Sequence, residues 1–415
     1  MDRASTKPVP TARRRIAILG STGSVGQSAL EVAAGFSDRL EVVGLAAGSR
    51  VDLLREQAAR LGVRNLALAD REAAAAAGIP GGGEAVRALA SLAEADLIVN
   101  AIVGAAGLDA SLAAIEAGKT LALANKESLV VAGELLTAAA ARHGVKILPI
   151  DSEHNAALQC LDCAEPKEVD RLILTASGGP FRLTTGAELR NVRLAEVLNH
   201  PTWSMGPRIT VDSATLLNKG FEVIEARWLF GLPLERIEVL VHPQSIVHAM
   251  LVLTDGSVLA MMSSPDMRIP IQYALSYPER WPSAWKPLDL QALGSLTFES
   301  PDLDRFPCLA LGMEAARRGG TAPAVLNAAD EELVAALLAG RIPFADLPHL
   351  LGEVFEQHVP VPATSLAAIQ AADRWAREAV RVQIGAPGSP LPEDAPNEAQ
   401  LHQGVSHGAS HGANP

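Results

Sequence analysis

The sequence predicts an α/β protein in which a doubly wound parallel sheet is followed by a central α+β region and a C-terminal α-helical region. Three observations predict it. Between residues 15 and 150, short apolar runs alternate with Ala-rich helical stretches. After Ile150, β-type runs mix with helices, and polar residues gather in a few dense patches. From about residue 304, an Ala/Leu-rich helical stretch runs to about 391. Continuous apolar strands separated by helices mean a parallel sheet covered on both faces, since neither face of such a strand tolerates water.

In chain order, the strands of the first region are expected at 16–19, 42–46, 66–68, 97–101, 121–123 and 147–150. The helices between them are expected near 25–35, 51–61, 84–94, 108–117 and 129–142. The second region carries β-type runs at 172–176, 237–241, 249–253 and 258–262, and the Asp255-Gly256 pair between the last two is a hairpin signal. A Pro- and Trp-bearing connector follows. The expected domains are therefore 1–150, 151–276, a connector over 277–303, and a helical domain over 304–391. The tail, 392–415, cannot form a core and is expected to be disordered. Its His402, His407 and His411 have no nearby carboxylate or thiolate to fix a metal geometry.

A chain of 415 residues suits two or three domains, and a 48% hydrophobic content can build their cores. The formal charge of −12 argues against a nucleic-acid partner or an anionic membrane surface, yet allows a local cationic pocket for a small phosphate. Cys160 and Cys163 have C-x-x-C spacing, but no second pair completes a zinc site, and they read as packing or incidental thiols. The basic N-terminal segment has no long apolar stretch behind it, so neither a secretory signal nor a membrane anchor is expected. The reducing cytoplasm is the expected location.

Gly20, Gly23 and Gly26 follow the first strand and open a helix. Glycines there permit a tight turn and close backbone approach, while free helix N–H groups face a pyrophosphate. Ser21, Thr22 and Ser24 add hydroxyls. At the first strand–helix junction of a regular βα array, the turn marks a Rossmann-like nucleotide domain. The second strand ends in Gly48-Ser49-Arg50, with no carboxylate to hold ribose hydroxyls. Ser49 and Arg50 offer donors to a 2′-phosphate, which favours NADPH over NADH; a solvated Arg50 is the alternative. Asn100–Gly104 and Asn125-Lys126-Glu127 fall at the ends of the fourth and fifth strands, where open parallel sheets bind ligands, although surface charge is another reading of Lys126 and Glu127.

The strand over 147–150 delivers directly into Asp151-Ser152-Glu153-His154-Asn155. In an extended segment, residues two apart share a side, so Asp151 and Glu153 are expected to converge and to need a cation between them. Oxygen ligands suit Mg²⁺ or Mn²⁺, with a buried ion pair as the alternative. Farther on, Asp212 or Ser213 is expected to cap a helix whose Asn218, Lys219 and Glu222 share one side. Donors at Ser213, Asn218 and Lys219 beside a carboxylate fit a phosphorylated substrate next to a metal, against ordinary salt bridging on a wet helix. Ser177-Gly178-Gly179 forms a strand-to-turn nest for an anion. The stretch from Asn199 to Pro207, with Trp203 and Met205 among Pro and Gly breakers, reads as a lid or as a core anchor. Val241-His242-Pro243-Gln244-Ser245 and Pro265-Asp266-Met267-Arg268 are polar, proline-marked strand ends.

The segments GSTGSVG, ALANKESLV, PIDSEHNAALQCL, TASGGPF, NHPTWSMGPRITVDSATLLNKGFEVIEA, VHPQSIVHAM and PDMRIPIQYAL resemble, in order, motifs of the 1-deoxy-D-xylulose 5-phosphate reductoisomerase family over roughly residues 15–390. The resemblance implies a homodimeric enzyme that uses NADPH and a divalent cation (Mg²⁺, Mn²⁺ or Co²⁺). It would rearrange and then reduce a phosphosugar in isoprenoid precursor synthesis. Position by position, it implies metal ligands at Asp151, Glu153 and Glu222, which with Lys126 are the catalytic residues, and substrate contacts at Lys126, Ser152, Glu153, Ser177, His200, Ser213, Asn218, Lys219 and Glu222. It also implies a flap over 199–208 bearing Trp203 and Met205. Cofactor contacts are implied at Thr22, Gly23, Ser24, Val25, Gly48, Ser49, Arg50, Asn125, Glu127, Gly206 and Met267. Arg50 stands where Asn is common, and Arg208 where Lys is frequent. On the residues alone, two other readings stay open: an NADP-dependent semialdehyde or homoserine dehydrogenase, and a non-catalytic NADP-binding regulator.

Overall fold

A computed structural model describes residues 13–385. The basic N-terminal segment before residue 13, the tail over 392–415 and its three histidines lie outside the described residues. The first part alternates β1 (Arg14–Leu19), α1 (Ser24–Gly35), β2 (Leu40–Ala47), α2 (Val51–Leu61), β3 (Asn65–Leu68), α3 (Arg71–Ala77), α4 (Gly83–Ala90), β4 (Leu97–Asn100), α5 (Leu108–Glu116), β5 (Thr120–Leu123), α6 (Lys126–His143) and β6 (Ile147–Pro149). All neighbouring strands are parallel, in the order β3-β2-β1-β4-β5-β6. Along β1, Ile16 and Ile18 belong to one apolar core while Ala17 and Leu19 belong to another. That alternation is the physical form of a sheet covered on both faces. The strand order reverses between β1 and β4, so their carboxyl ends open a crevice there.

The next part comprises α7 (Ser152–Leu161), β7 (Val169–Ala176), α8 (Gly186–Leu189), α9 (Leu194–Val197), α10 (Pro207–Ala214), α11 (Leu217–Phe230), β8 (Ile237–Val241), β9 (Val247–Leu253), β10 (Val258–Met262) and α12 (Arg268–Ser276). Its sheet runs β10-β9-β7-β8, with β7 and β8 parallel and the other pairs antiparallel. The hairpin at Asp255-Gly256 forms as expected, Gly256 N–H donating to the Leu253 carbonyl at 2.9 Å. Last come α13 (Leu290–Leu293), α14 (Pro307–Arg318), α15 (Ala322–Leu338), α16 (Leu347–Gln357) and α17 (Leu366–Ile384). Among the described residues, no helix is long and apolar enough to cross a membrane.

Several local expectations need correction. Asp151 and Glu153 do not lie on an extended segment: Asp151 caps α7, its carboxylate accepting from the Glu153 N–H, and Glu153 sits in the first helical turn. Asp212 and Ser213 do not cap the following helix. They close α10, which starts at Pro207 behind Gly206, and Leu216 then breaks the chain with φ +62 before α11 begins. The irregular segment therefore ends at Gly206 rather than at residue 208, because Pro207 is pre-set for a helix start. Helix α3 was not foreseen, although Asp70 caps it by accepting from two backbone N–H groups and Gly78 ends it in the left-handed conformation.

Two close approaches fix α11. A Cβ on Gly312 of α14 would lie 2.5 Å from the Gly220 Cα, and one on Gly133 of α6 would lie 2.1 Å from Trp228 Cδ1. The helix bearing Asn218, Lys219 and Glu222 is thereby pressed against the helix bearing Lys126.

Candidate active site

A cavity of about 730 Å³ opens at the carboxyl ends of the first sheet, walled on its other sides by α7, the turn after β7, the segment before α10, and α11. Its floor is a cluster of acids. Carboxylate oxygens of Asp151, Glu153 and Glu222 lie within 4.8 Å of one another. Lys126 Nζ sits 2.9 Å from Asp151 Oδ2, 3.2 Å from Glu222 Oε1 and 3.5 Å from Glu225 Oε2. Lys219 Nζ donates to Glu153 Oε1 at 2.9 Å and also pairs with Glu222. Asn218 Nδ2 donates to Glu222 Oε1 at 2.6 Å, and the Ser152 hydroxyl bonds Glu153.

The electrostatics follow from burial and crowding. Burial opposes charge on Asp151, yet Lys126 and its neighbours hold its carboxyl well below the usual range. Burial and the neighbouring Glu153 push Glu222 up to about 7, against the pull of Lys126 and Lys219. Burial pushes Glu225 well up too. Both lysines are held charged: burial alone would lower them, but the surrounding carboxylates outweigh it. Four acids thus face two ammonium groups at the largely buried floor of the cavity. Oxygen donors in acidic excess, at mutual distances that one ion can span, fit a hard divalent cation.

His154 and Glu225 belong to this cluster and were not weighed from the sequence. Buried His154 donates from Nε2 to the Glu222 carbonyl oxygen at 2.8 Å and turns Nδ1 toward Asp151 and Glu225, at 3.6 and 3.7 Å. Burial lowers its imidazole to about 4, so it stays neutral. The available signal was i,i+3 spacing, His154 from Asp151 and Glu225 from Glu222.

One side of the cavity is a row of donors. Thr202 and Trp203 backbone N–H groups donate to His200 Nδ1, at 3.1 and 2.9 Å, so the ring proton lies on Nε2 and is donated to Ser177 Oγ at 3.0 Å. Gly179 N–H also donates to Ser177 Oγ, at 3.2 Å. With its oxygen accepting twice, the Ser177 hydroxyl keeps its own proton for a ligand. Burial lowers the His200 imidazole, which keeps this arrangement neutral. Gly179, at φ +67, packs so tightly that a Cβ there would lie 2.6 Å from the Ser213 carbonyl oxygen. That contact brings Ser213 beside Ser177, with Asn218 and Lys219 completing the lining. Trp203 and Met205 line the cavity from the irregular segment, and the Trp203 ring lies 6.4 Å from that of buried His248, also unforeseen.

The opposite side is the glycine-rich turn. A Cβ on Gly20 would lie 2.4 Å from the Ala101 carbonyl oxygen, and one on Gly26 would lie 2.2 Å from that of Gly20. Gly23 precedes α1 with no side chain capping its first N–H groups, which leaves them for an anion. Gly23, Ser24, Val25, Glu127, Gly206 and Met267 line the cavity; Thr22, Gly48, Ser49, Arg50 and Asn125 do not. Gly48, Ser49 and Arg50 are exposed beyond β2, and the Arg50 guanidinium donates to the Thr22 carbonyl oxygen, linking the two loops. Asn125 is internal: it donates to the carbonyls of Ile102 and Gly104 at 2.7 and 2.8 Å and caps α6.

Comparison with known proteins gives one consistent result. Residues 16–133 match the family model for 1-deoxy-D-xylulose 5-phosphate reductoisomerase, residues 147–230 that of the C-terminal domain of the same enzyme, and residues 262–379 the DXP reductoisomerase C-terminal domain. The 1-deoxy-D-xylulose 5-phosphate reductoisomerase of Symbiobacterium thermophilum is 52% identical over 384 residues, covering 89% of this chain and 99% of that one. The enzyme of the same name from Thermodesulfovibrio yellowstonii is 48% identical over 379 residues, covering 90% and 100%. Among solved structures, the Zymomonas mobilis reductoisomerase in complex with NADPH superposes with TM-score 0.83 at 42% identity, covering 90% of this chain and 100% of that one. A DOX-P reductoisomerase in complex with NADPH, fosmidomycin and magnesium gives TM-score 0.83 at 40% identity, covering 90% and 98%.

Proposed function

The chain belongs to the 1-deoxy-D-xylulose 5-phosphate reductoisomerase family, and we propose on that premise that it converts 1-deoxy-D-xylulose 5-phosphate to 2-C-methyl-D-erythritol 4-phosphate with NADPH and a divalent cation. One observation carries this reading: a single cavity joins the glycine-rich turn, the three-carboxylate cluster and the Ser177–Ser213–Asn218–Lys219 row. A bare nucleotide regulator has no use for the last two.

In this reading, Asp151, Glu153 and Glu222 hold the cation, which supplies Lewis acidity at the sugar oxygens next to the bond that shifts. NADPH supplies the hydride for the reduction. The chain's own residues do the rest. Ser177, Ser213, Asn218 and Lys219 hold the phosphate, and His200 aims the Ser177 hydroxyl by occupying its oxygen. Binding energy gathered at the phosphate orients the carbons that react. Lys126, fixed in charge by three carboxylates, offers an ammonium to oxyanion charge, and Ser152 orients Glu153. Trp203 and Met205 exclude water when segment 199–206 lies over the sugar. Thr22–Val25, Gly48–Arg50, Asn125, Glu127, Gly206 and Met267 form the cofactor side, with Ser49 and Arg50 reaching for the 2′-phosphate.

We place domain boundaries near residues 150, 276 and 303, where β6 ends, α12 ends and the helical part begins. We further infer a cytoplasmic homodimer with no nucleic-acid role, on the family resemblance and the net charge of −12. The test of function is NADPH oxidation by purified, chelator-treated protein. Oxidation should require both the deoxyxylulose phosphate and added Mg²⁺ or Mn²⁺. No turnover under that full combination would refute the assignment.

A further inference from the structure

Arg208 stands in the first turn of α10, two residues beyond the irregular segment that carries Trp203 and Met205. Its side chain is 16% exposed. Nη1 bonds Glu127 Oε1 at 2.7 Å and Glu331 Oε1 at 2.6 Å, while Nη2 bonds Asn327 Oδ1 at 2.8 Å and Asp330 Oδ2 at 3.4 Å. Nε faces Asp212 Oδ2 at 3.8 Å. Both terminal nitrogens are thus engaged by two other elements, the start of α6 and α15, while Nε faces α10 itself, and neither terminal nitrogen is left to touch a substrate.

The contacts continue in both directions. Glu331 also pairs with Arg377 of α17, whose Nε donates to Asp373 at 2.8 Å. The same Glu331 crowds the loop after β4: a Cβ on Gly104 would lie 3.1 Å from its Oε1. On the other side, Glu127 accepts from Asn125 Nδ2 at 2.9 Å, and Asn125 holds the carbonyls of Ile102 and Gly104. Ile102 and Val103 line the cavity between them. Among the described residues, none beyond Arg268 lines the cavity, so α15 and α17 act on it through such contacts.

We propose that Arg208 is a positioning residue: it clamps the root of segment 199–206 to the loop after β4 and to α15 and α17, so that the C-terminal helices set the geometry in which that segment closes over substrate. The proposal rests on the reading of 199–206 as a flap. An exposed arginine with one carboxylate would do little. A buried guanidinium shared by three elements differs, because displacing any one of them leaves a desolvated charge without its partner. The flap therefore swings from a fixed root at Pro207–Arg208. Loss of the clamp lets the root slide, and misplacement of about an ångström far from the chemistry is enough to cost much of the rate.

The test uses the full chain with Mg²⁺, NADP⁺ and deoxyxylulose phosphate as a complex that cannot complete reduction. Chymotryptic cleavage after Trp203, read by mass spectrometry, reports closure, and kcat and KM are measured separately with NADPH. The wild type should be protected in the complex. Arg208→Met should lose protection and on the order of 10- to 100-fold in kcat/KM, with partial rescue by Arg208→Lys. Arg377→Met should move both readouts the same way, and the double variant should be no worse than Arg208→Met, since both act through Glu331. If Arg208→Met does not fold, Arg377→Met and Glu331→Gln decide. Variants with a lower melting temperature but unchanged kinetics and protection overturn the clamp, as do additive effects in the double variant, while the flap stands. A wild type cleaved equally with and without ligands overturns the flap and the clamp together.

Discussion

Glu222→Gln isolates the third carboxylate of the acidic cluster. The shape is kept, the Asn218 Nδ2 contact at 2.6 Å still has an oxygen to meet, and one negative charge goes. In the cation-free protein that charge is poorly housed, since burial and Glu153 raise the carboxyl from 4.5 to about 7. A carboxyl raised in the native state binds its proton more tightly there than in the unfolded chain. Stability of the cation-free protein therefore falls as pH rises from about 4.5 to about 7 and is level above. The loss is at most about 3 kcal/mol at 1.36 kcal/mol per unit. Gln removes that loss, so the cation-free variant should melt no lower than wild type at pH 8 and vary less with pH below 7. With cation present the order reverses. Removing one partner of a buried charge pair costs about 2–5 kcal/mol, roughly 30- to several-thousand-fold in affinity. Mn²⁺ titration by calorimetry, paired with NADPH oxidation, should show weak cation binding and collapsed turnover while NADPH alone still binds. Wild-type cation affinity and rate would remove Glu222 from the site. A cation-free variant that melts far below wild type would make Glu222 a brace for Lys126 and Lys219 instead.

Arg50→Ala should narrow the preference for NADPH over NADH, mainly through the NADPH KM; an unchanged kcat/KM ratio for the two coenzymes would refute a role at the 2′-phosphate. Ser177→Ala should raise the KM for the phosphosugar by a factor corresponding to about 1.5–3 kcal/mol, the worth of a hydrogen bond to a charged group, and leave the NADPH KM in place. Gly312→Ala should lower the melting temperature, because a Cβ there meets the Gly220 Cα at 2.5 Å. Overpacking of about 1–3 kcal/mol outweighs the gain of about 0.5–1 kcal/mol in helix propensity.

The first sheet was legible strand by strand because each strand is a continuous apolar run closed by a glycine or polar turn, a signal carried by neighbours in sequence. The acidic cluster was legible as residue types, and its geometry was not. Asp151 and Glu153 were expected to converge through strand alternation, whereas a helix cap brings them together. The error at Asp212 has the same root: Gly206-Pro207 already announced a helix start, and once α10 begins there Asp212 cannot cap anything. His154 and Glu225 were passed over because a lone histidine and a fourth acid explain themselves only when the Lys126 side chain arrives from α6. The α15 partners of Arg208 lie more than 110 residues downstream, and no local pattern announces such a contact.

Leu216 shows what holds the two halves of the donor row in place. At about 100° per residue, Ser213 and Asn218 on one unbroken helix would stand roughly 140° apart around its axis, and one of them would turn away from the cavity. The left-handed residue between them ends one helix and re-aims the next, so both can look the same way. A leucine in that conformation costs about 1–2 kcal/mol, but its side chain is 4% exposed, and burying it contributes about 1.5–3 kcal/mol. The core therefore acts as a latch on the bend: the backbone cannot straighten without pulling a leucine into water, and a glycine, which would relax the bend, would also release the latch.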